Sequence, residues 1–158
     1  MNRRIFMKTA AIGSLAMGFA GAAAAISYFP APVDLSLFEG INRAKDPARK
    51  TGHEKNHAPV IAAPAAVKAG EPFKVEISVG ETLHSMGPSH WIQYIELYIG
   101  NEPAGRLDLQ ARGFMKPTAV FTVTIPRELV TTGKLTLLAR EQCNLHGLWE
   151  TRFDIAVS

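Results

Sequence analysis

The run Glu141-Gln142-Cys143-Asn144-Leu145-His146-Gly147-Leu148-Trp149 holds the only cysteine of the chain and sets a histidine three residues behind it. A thiolate and an imidazole at that spacing can face one metal ion when a turn follows a strand, and Gly147 supplies the backbone freedom such a turn needs. Alone, C-x-x-H is a weak signal, because a single cysteine in a small domain is more often a buried, inert apolar side chain. The other histidines strengthen it. The chain has five: His53, His57, His84, His90 and His146. His57 stands just ahead of Ala58-Pro59, and His84 and His90 flank Ser85-Met86-Gly87-Pro88-Ser89. In such polar, turn-rich segments side chains converge without competing with a core, the placement expected of a metal site built from loops on a rigid scaffold.

Glu54-Lys55-Asn56-His57-Ala58-Pro59, then His84 and His90 with five residues between them, then Cys143-Asn144-Leu145-His146-Gly147-Leu148-Trp149 resemble the iron-binding set of the superoxide reductases. In that neelaredoxin and desulfoferrodoxin family the pattern is E-K-H-V-P, H-x5-H and C-x-x-H-G. All three blocks occur in family order and together span Glu54 to Trp149. The resemblance implies a mononuclear non-haem iron with His57, His84, His90 and His146 as equatorial ligands, Cys143 as the axial ligand and one position open. Four imidazoles and a thiolate also suit an open redox centre better than a closed structural zinc site, which takes four ligands, often several of them cysteine. The implied reaction is superoxide plus one electron plus two protons giving hydrogen peroxide. An external electron donor is required, rubredoxin-like or another periplasmic redox protein, and a homo-oligomer is expected. With one cysteine, the additional four-cysteine iron domain of the two-iron members is not expected.

The resemblance further implies that Lys55 attracts superoxide and orders water, and that Glu54 occupies the open iron position in the oxidised state. Here the chain departs from the family, because Asn56 intervenes before His57. In an extended segment a one-residue slip turns a side chain to the opposite side. Either the loop bulges and Lys55 still reaches the site, or its role passes to another group. Ser85-Met86 stands where the family often has Pro-Asn, outside the ligand set. His53 is left as a surface residue, since only His57 stands two positions before a proline. Two further readings stay open: an iron or copper carrier or sensor on the same scaffold, and a structural adaptor of a redox or sulfur-oxidising complex in which the histidines are incidental.

These residues need a frame to hold them. From Pro59 onward the hydrophobic period becomes two. Phe73, Val75, Ile77 and Val79 fall on one face, and Lys74, Glu76 and Ser78 on the other. Strands are expected over residues 60–67, 73–79, 91–99, 104–110, 119–125, 134–140 and 150–157, with Pro64 confining the first to an edge or breaking it. Seven short strands with turn signals between them predict an all-β fold, an immunoglobulin-like antiparallel β-sandwich. The family's iron domain has such a fold. His84 and His90 then bracket a loop after the second strand, Cys143 to His146 lie between the last two, and Trp91 and Trp149 each sit close to a ligand.

At 158 residues the chain is long enough for a core without disulfide staples. Three of its 17 basic residues, Arg3, Arg4 and Lys8, precede residue 25, where there is no acid. The rest carries 14 basic against 14 acidic residues and no basic stripe with interleaved aromatics, so a nucleic-acid partner is not expected. Arg3-Arg4-Ile5-Phe6-Met7-Lys8 and the Ala- and Gly-rich run to Phe29 read as a twin-arginine-type export signal or anchor over residues 1–25. That route carries folded proteins, so iron would enter before export to the periplasm by the twin-arginine machinery. Residues 26–52 read as linker and N-terminal extension, with a helical turn or two within 34–42, and 53–158 as the iron-binding sandwich.

Overall fold

A computed structural model describes residues 35–158; the expected export signal and the first part of the extension lie outside the described residues. The period-two segments form nine strands: β1 (Ile41–Asn42), β2 (Pro59–Ala62), β3 (Ala66–Val67), β4 (Pro72–Val79), β5 (Ile92–Ile99), β6 (Glu102–Asp108), β7 (Thr118–Thr124), β8 (Lys134–Cys143) and β9 (Gly147–Val157). Seven are the strands whose alternation is visible in the sequence, while β1 and β3 are two-residue strips. One sheet runs β1-β9-β8-β5-β6, with β3 also on β9, and the other runs β2-β4-β7. The long pairings are antiparallel; β1 and β3 lie parallel to β9. Pro64 falls in the gap between β2 and β3, where the ladder no longer needs its missing N–H.

The inner faces meet in one core. Val75, Ile77 and Val79 of β4 are fully buried, as are Ile95 and Leu97 of β5 and Leu137 and Ala139 of β8. A register shift between Ile92 and Tyr94 breaks the alternation in β5, so Ile92 and Ile95 both turn inward although three residues apart. Two departures from the expected boundaries matter for the site. β8 continues past Arg140 to Cys143, because its inward row keeps running through Ala139, Glu141 and Cys143. The extension also lies against the sheet: after a 3-10 turn at Leu35–Phe38, β1 pairs with Leu148 and Trp149. Asn42 Nδ2 donates to the carbonyls of Leu37 and Leu148 at 2.7 and 3.0 Å. Next to it, Arg43 lies 2.8 Å from the carboxylate of Glu150, which Arg140 and Arg152 share.

Candidate metal centre

The C-x-x-H-G motif is the turn of the β8–β9 hairpin. Cys143 is the last residue of β8 and pairs with Gly147, the first of β9. That leaves a three-residue loop closed by a glycine at φ 74°, the left-handed conformation this hairpin class requires. The strand end therefore fixes the sulfur while the loop carries His146 back over it.

His57 is delivered differently from the expected extended segment. Residues Gly52–His57 form a short helix, α1. Thr51 caps it, accepting from the Glu54 amide at 3.2 Å, while the Glu54 carboxylate accepts from the Thr51 amide at 2.7 Å and from the Lys45 amide at 3.0 Å. Thr51-x-x-Glu54 is a capping box, the one signature in the sequence that marks the start of this helix. It sends Glu54 inward to the cap, where it is buried, and leaves Lys55 on the exposed face. The amides of Lys45 and Thr51 hold the Glu54 carboxyl below its usual range. Its contribution to the cap is thus present above the ordinary carboxylate pKa and is lost as pH falls through the depressed one. Glu54→Ala is expected to loosen α1, lower the melting temperature and weaken metal retention about tenfold, as losing a ligand-orienting contact does. Glu54→Gln, which can still close a capping box, should leave both near wild type. Melting curves and metal stoichiometry of the two variants check this.

His57 and His84 each spend one ring nitrogen on a backbone carbonyl: His57 Nδ1 on His53 O at 2.8 Å and His84 Nδ1 on Ser85 O at 2.6 Å. A carbonyl only accepts, so both Nδ1 atoms carry the proton and both Nε2 atoms present a lone pair. His57 Nε2 is buried with no hydrogen-bond partner among the described residues, an orphan that a cation would satisfy. His90 Nε2 lies 3.1 Å from three atoms at once: His84 Nε2, Cys143 Sγ and His146 Nδ1. One imidazole nitrogen has a single proton or a single lone pair and cannot hydrogen-bond three ways. Ligands at right angles on an ion with bonds of about 2.1 Å stand about 3.0 Å apart. Sγ is a further 3.4 Å from His146 Nδ1 and 4.0 Å from His84 Nε2.

His57, His84, His90 and Cys143 each offer a ligand atom within 4.8 Å of the others, and His146 adjoins through His90 and Cys143. Lys55 remains exposed, and its backbone carbonyl accepts from the Glu81 amide at 2.7 Å. His53, left at the surface in the sequence reading, is exposed, but its ring centroid is 4.2 Å from that of His57 and 4.7 Å from that of His146. Trp149 stacks on His57 with centroids 5.5 Å apart and donates Nε1 to the His146 carbonyl at 2.9 Å. Asn144 does not turn to the sulfur. Its Oδ1 accepts from the Trp91 amide at 2.8 Å and its Nδ2 donates to Ser89 O at 3.0 Å, while its own amide donates to Trp91 O at 3.1 Å. Three hydrogen bonds thus tie the cysteine loop to the loop that carries His90.

Burial, reinforced by the neighbouring imidazoles, lowers His57 to about 3 and His84 to about 4, against the pull of their carbonyl partners. Burial also pushes the Cys143 thiol up to about 12, opposed by the amides of Leu145 and His146. At neutral pH His57 and His84 are therefore ready donors, whereas the thiol must lose its proton to bind. Loading a divalent ion is expected to release one proton per ion near pH 7, and affinity should rise about tenfold per pH unit. Calorimetry in buffers of different ionisation enthalpy measures that number.

A two-sheet β-sandwich whose loops gather imidazoles and one thiolate around a common point defines a small mononuclear metalloprotein of the redox type. The desulfoferrodoxin family model matches residues 49–152. A Methanocaldococcus jannaschii relative with a provisional superoxide reductase name is 40% identical over 116 residues, covering 73% of this chain and 93% of its own. The superoxide reductase of Pyrococcus horikoshii is 34% identical over 110 residues, covering 64% and 88%. Among solved structures, the superoxide reductase (neelaredoxin) of Ignicoccus hospitalis superposes with a TM-score of 0.56 at 38% identity, covering 65% of this chain and 81% of its own. The chain belongs to the desulfoferrodoxin family, and its His and Cys cluster fits iron.

Proposed function

We propose that this chain is an exported one-iron superoxide reductase, holding iron through His57, His84, His90, His146 and Cys143 and reducing superoxide to hydrogen peroxide with an electron from an external redox protein. The observation that carries the reading is the threefold 3.1 Å approach to His90 Nε2, which makes sense around a cation and not as hydrogen bonding. Iron, when bound, supplies the electron that superoxide takes up. The protein does the rest. His57 and His84 are locked as neutral donors by their carbonyls, and Cys143 adds one negative charge once deprotonated. Trp149 and the core keep water from one side, while the exposed rim admits a small anion and the two protons it needs. Lys55, exposed on α1 two positions from His57, offers positive charge that draws in superoxide, an attraction that salt screens. Glu54 serves the helix cap rather than the open position. Export is supported by the paired arginines and apolar run before residue 30.

Pulse radiolysis of the ferrous protein tests the activity. Superoxide should oxidise the centre at about 10⁸–10⁹ M⁻¹s⁻¹, close to the diffusional ceiling. Lys55→Ala should slow that step several-fold and flatten its salt dependence. A ferrous protein that keeps its iron and ignores superoxide would be a carrier instead. Twin lysine replacement of Arg3 and Arg4, with the protein then located by cell fractionation, tests the export route.

A further inference from the structure

We propose that His53 joins His57 and His146 in a second, solvent-open cation site, a three-imidazole position that captures a borderline divalent ion and passes it inward to the thiolate-bearing nest. The three side chains each present a ligand nitrogen within 4.8 Å of the other two. Their ring centroids are 4.2 Å apart for His53 and His57, 4.7 Å for His53 and His146, and 4.6 Å for His57 and His146. His53 and His57 are four residues apart on α1, so one helical face offers both rings. The edge of Trp149 backs His53 at a centroid distance of 5.4 Å. Three nitrogens without a thiol or carboxylate are the donor set of an open tetrahedral site completed by water, which suits zinc or cobalt(II).

The two sites share ligands. His57 and His146 also border the nest formed with His84, His90 and Cys143, so one ion cannot occupy both places. The difference lies in access. His53 is exposed, whereas His57, His84 and Cys143 are 3%, 6% and 0% exposed. An ion arriving from solvent meets His53 first. It moves inward by exchanging His53 for His84, His90 and the sulfur while His57 and His146 keep hold. The destination rests on the reading of the nest given above; the three-imidazole site does not.

Cobalt(II) added to the metal-free full-length chain separates the two. Tetrahedral cobalt among imidazoles and water shows visible d–d bands, and cobalt on a thiolate adds a near-ultraviolet charge-transfer band. In stopped flow the d–d bands should appear before the thiolate band. Cys143→Ser should bind cobalt at the first stage only, and adding His53→Ala should weaken that binding by at least about tenfold. His53→Ala alone should delay the thiolate band to a similar degree and leave its final intensity unchanged. The proposal is overturned if the double variant binds cobalt as Cys143→Ser does, or if His53→Ala loads at the wild-type rate. A wild-type chain that never develops the thiolate band would instead overturn the nest, while cobalt binding by Cys143→Ser would still decide the role of His53.

Discussion

Cys143→Ser is expected to extinguish the intense visible thiolate-to-iron absorption of the oxidised protein and to abolish superoxide reduction, while the chain still folds. The substitution is nearly isosteric at a fully buried strand end, so the sandwich loses little beyond a hydrogen-bond adjustment, on the order of 1 kcal/mol. The chemistry changes completely. Sγ stands 3.1 Å from His90 Nε2 and 3.4 Å from His146 Nδ1, and a cation among them draws the thiol proton off. A serine hydroxyl at the same place keeps its proton near neutrality and offers neither a soft donor nor a charge-transfer transition. Iron retention should fall by at least about 10–100-fold. Visible spectra and iron stoichiometry read the result; a retained band would return Cys143 to the ordinary role of a buried apolar residue.

Gly147→Ala should be the most damaging single methyl in the described chain. Gly147 sits at φ 74°, and a Cβ there would be driven into the Leu37 carbonyl oxygen and within 3.2 Å of Asn42 Nδ2. The left-handed conformation costs about 1–3 kcal/mol for an L-residue and the clash a further 1–3 kcal/mol or more. A fall in melting temperature of roughly 10–20 °C follows. Iron occupancy should drop with it, because Cys143 and His146 straddle the turn that must move. Gly100→Ala is the control: φ is 61° but nothing lies within 4 Å of its Cβ, so only the backbone penalty applies. Similar losses in the two variants would show that the extension does not press on the turn.

The scaffold of the site was legible where a buried row alternates, as it does from Phe73 to Val79, and the three motif blocks lie beside strand ends. What was not legible depends on short or long-range structure. A six-residue helix has too few turns to display a period, so α1 could be found only through its capping box at Thr51 and Glu54. Without the helix, the pairing of His53 with His57 stays hidden, and the sides to which Glu54 and Lys55 turn are left open between an extended segment and a bulged loop. The parallel strips β1 and β3 are two residues each and owe their pairing to β9, more than 80 residues away in the chain. Nor does the sequence show where Asn144 turns, because its partners, the Trp91 amide and the Ser89 carbonyl, lie more than 50 residues away on the other loop.

The clasp that Asn144 makes between the two ligand-bearing loops bears on how long the protein lasts in service. It needs no ion, so these two loops should stay joined when iron is stripped out by a chelator or lost to oxidative damage. A chain that exists only as a coil without its metal must refold at each loss and faces proteolysis meanwhile. Here an emptied molecule should survive intact and be refilled, making repair a matter of local iron supply rather than of new synthesis.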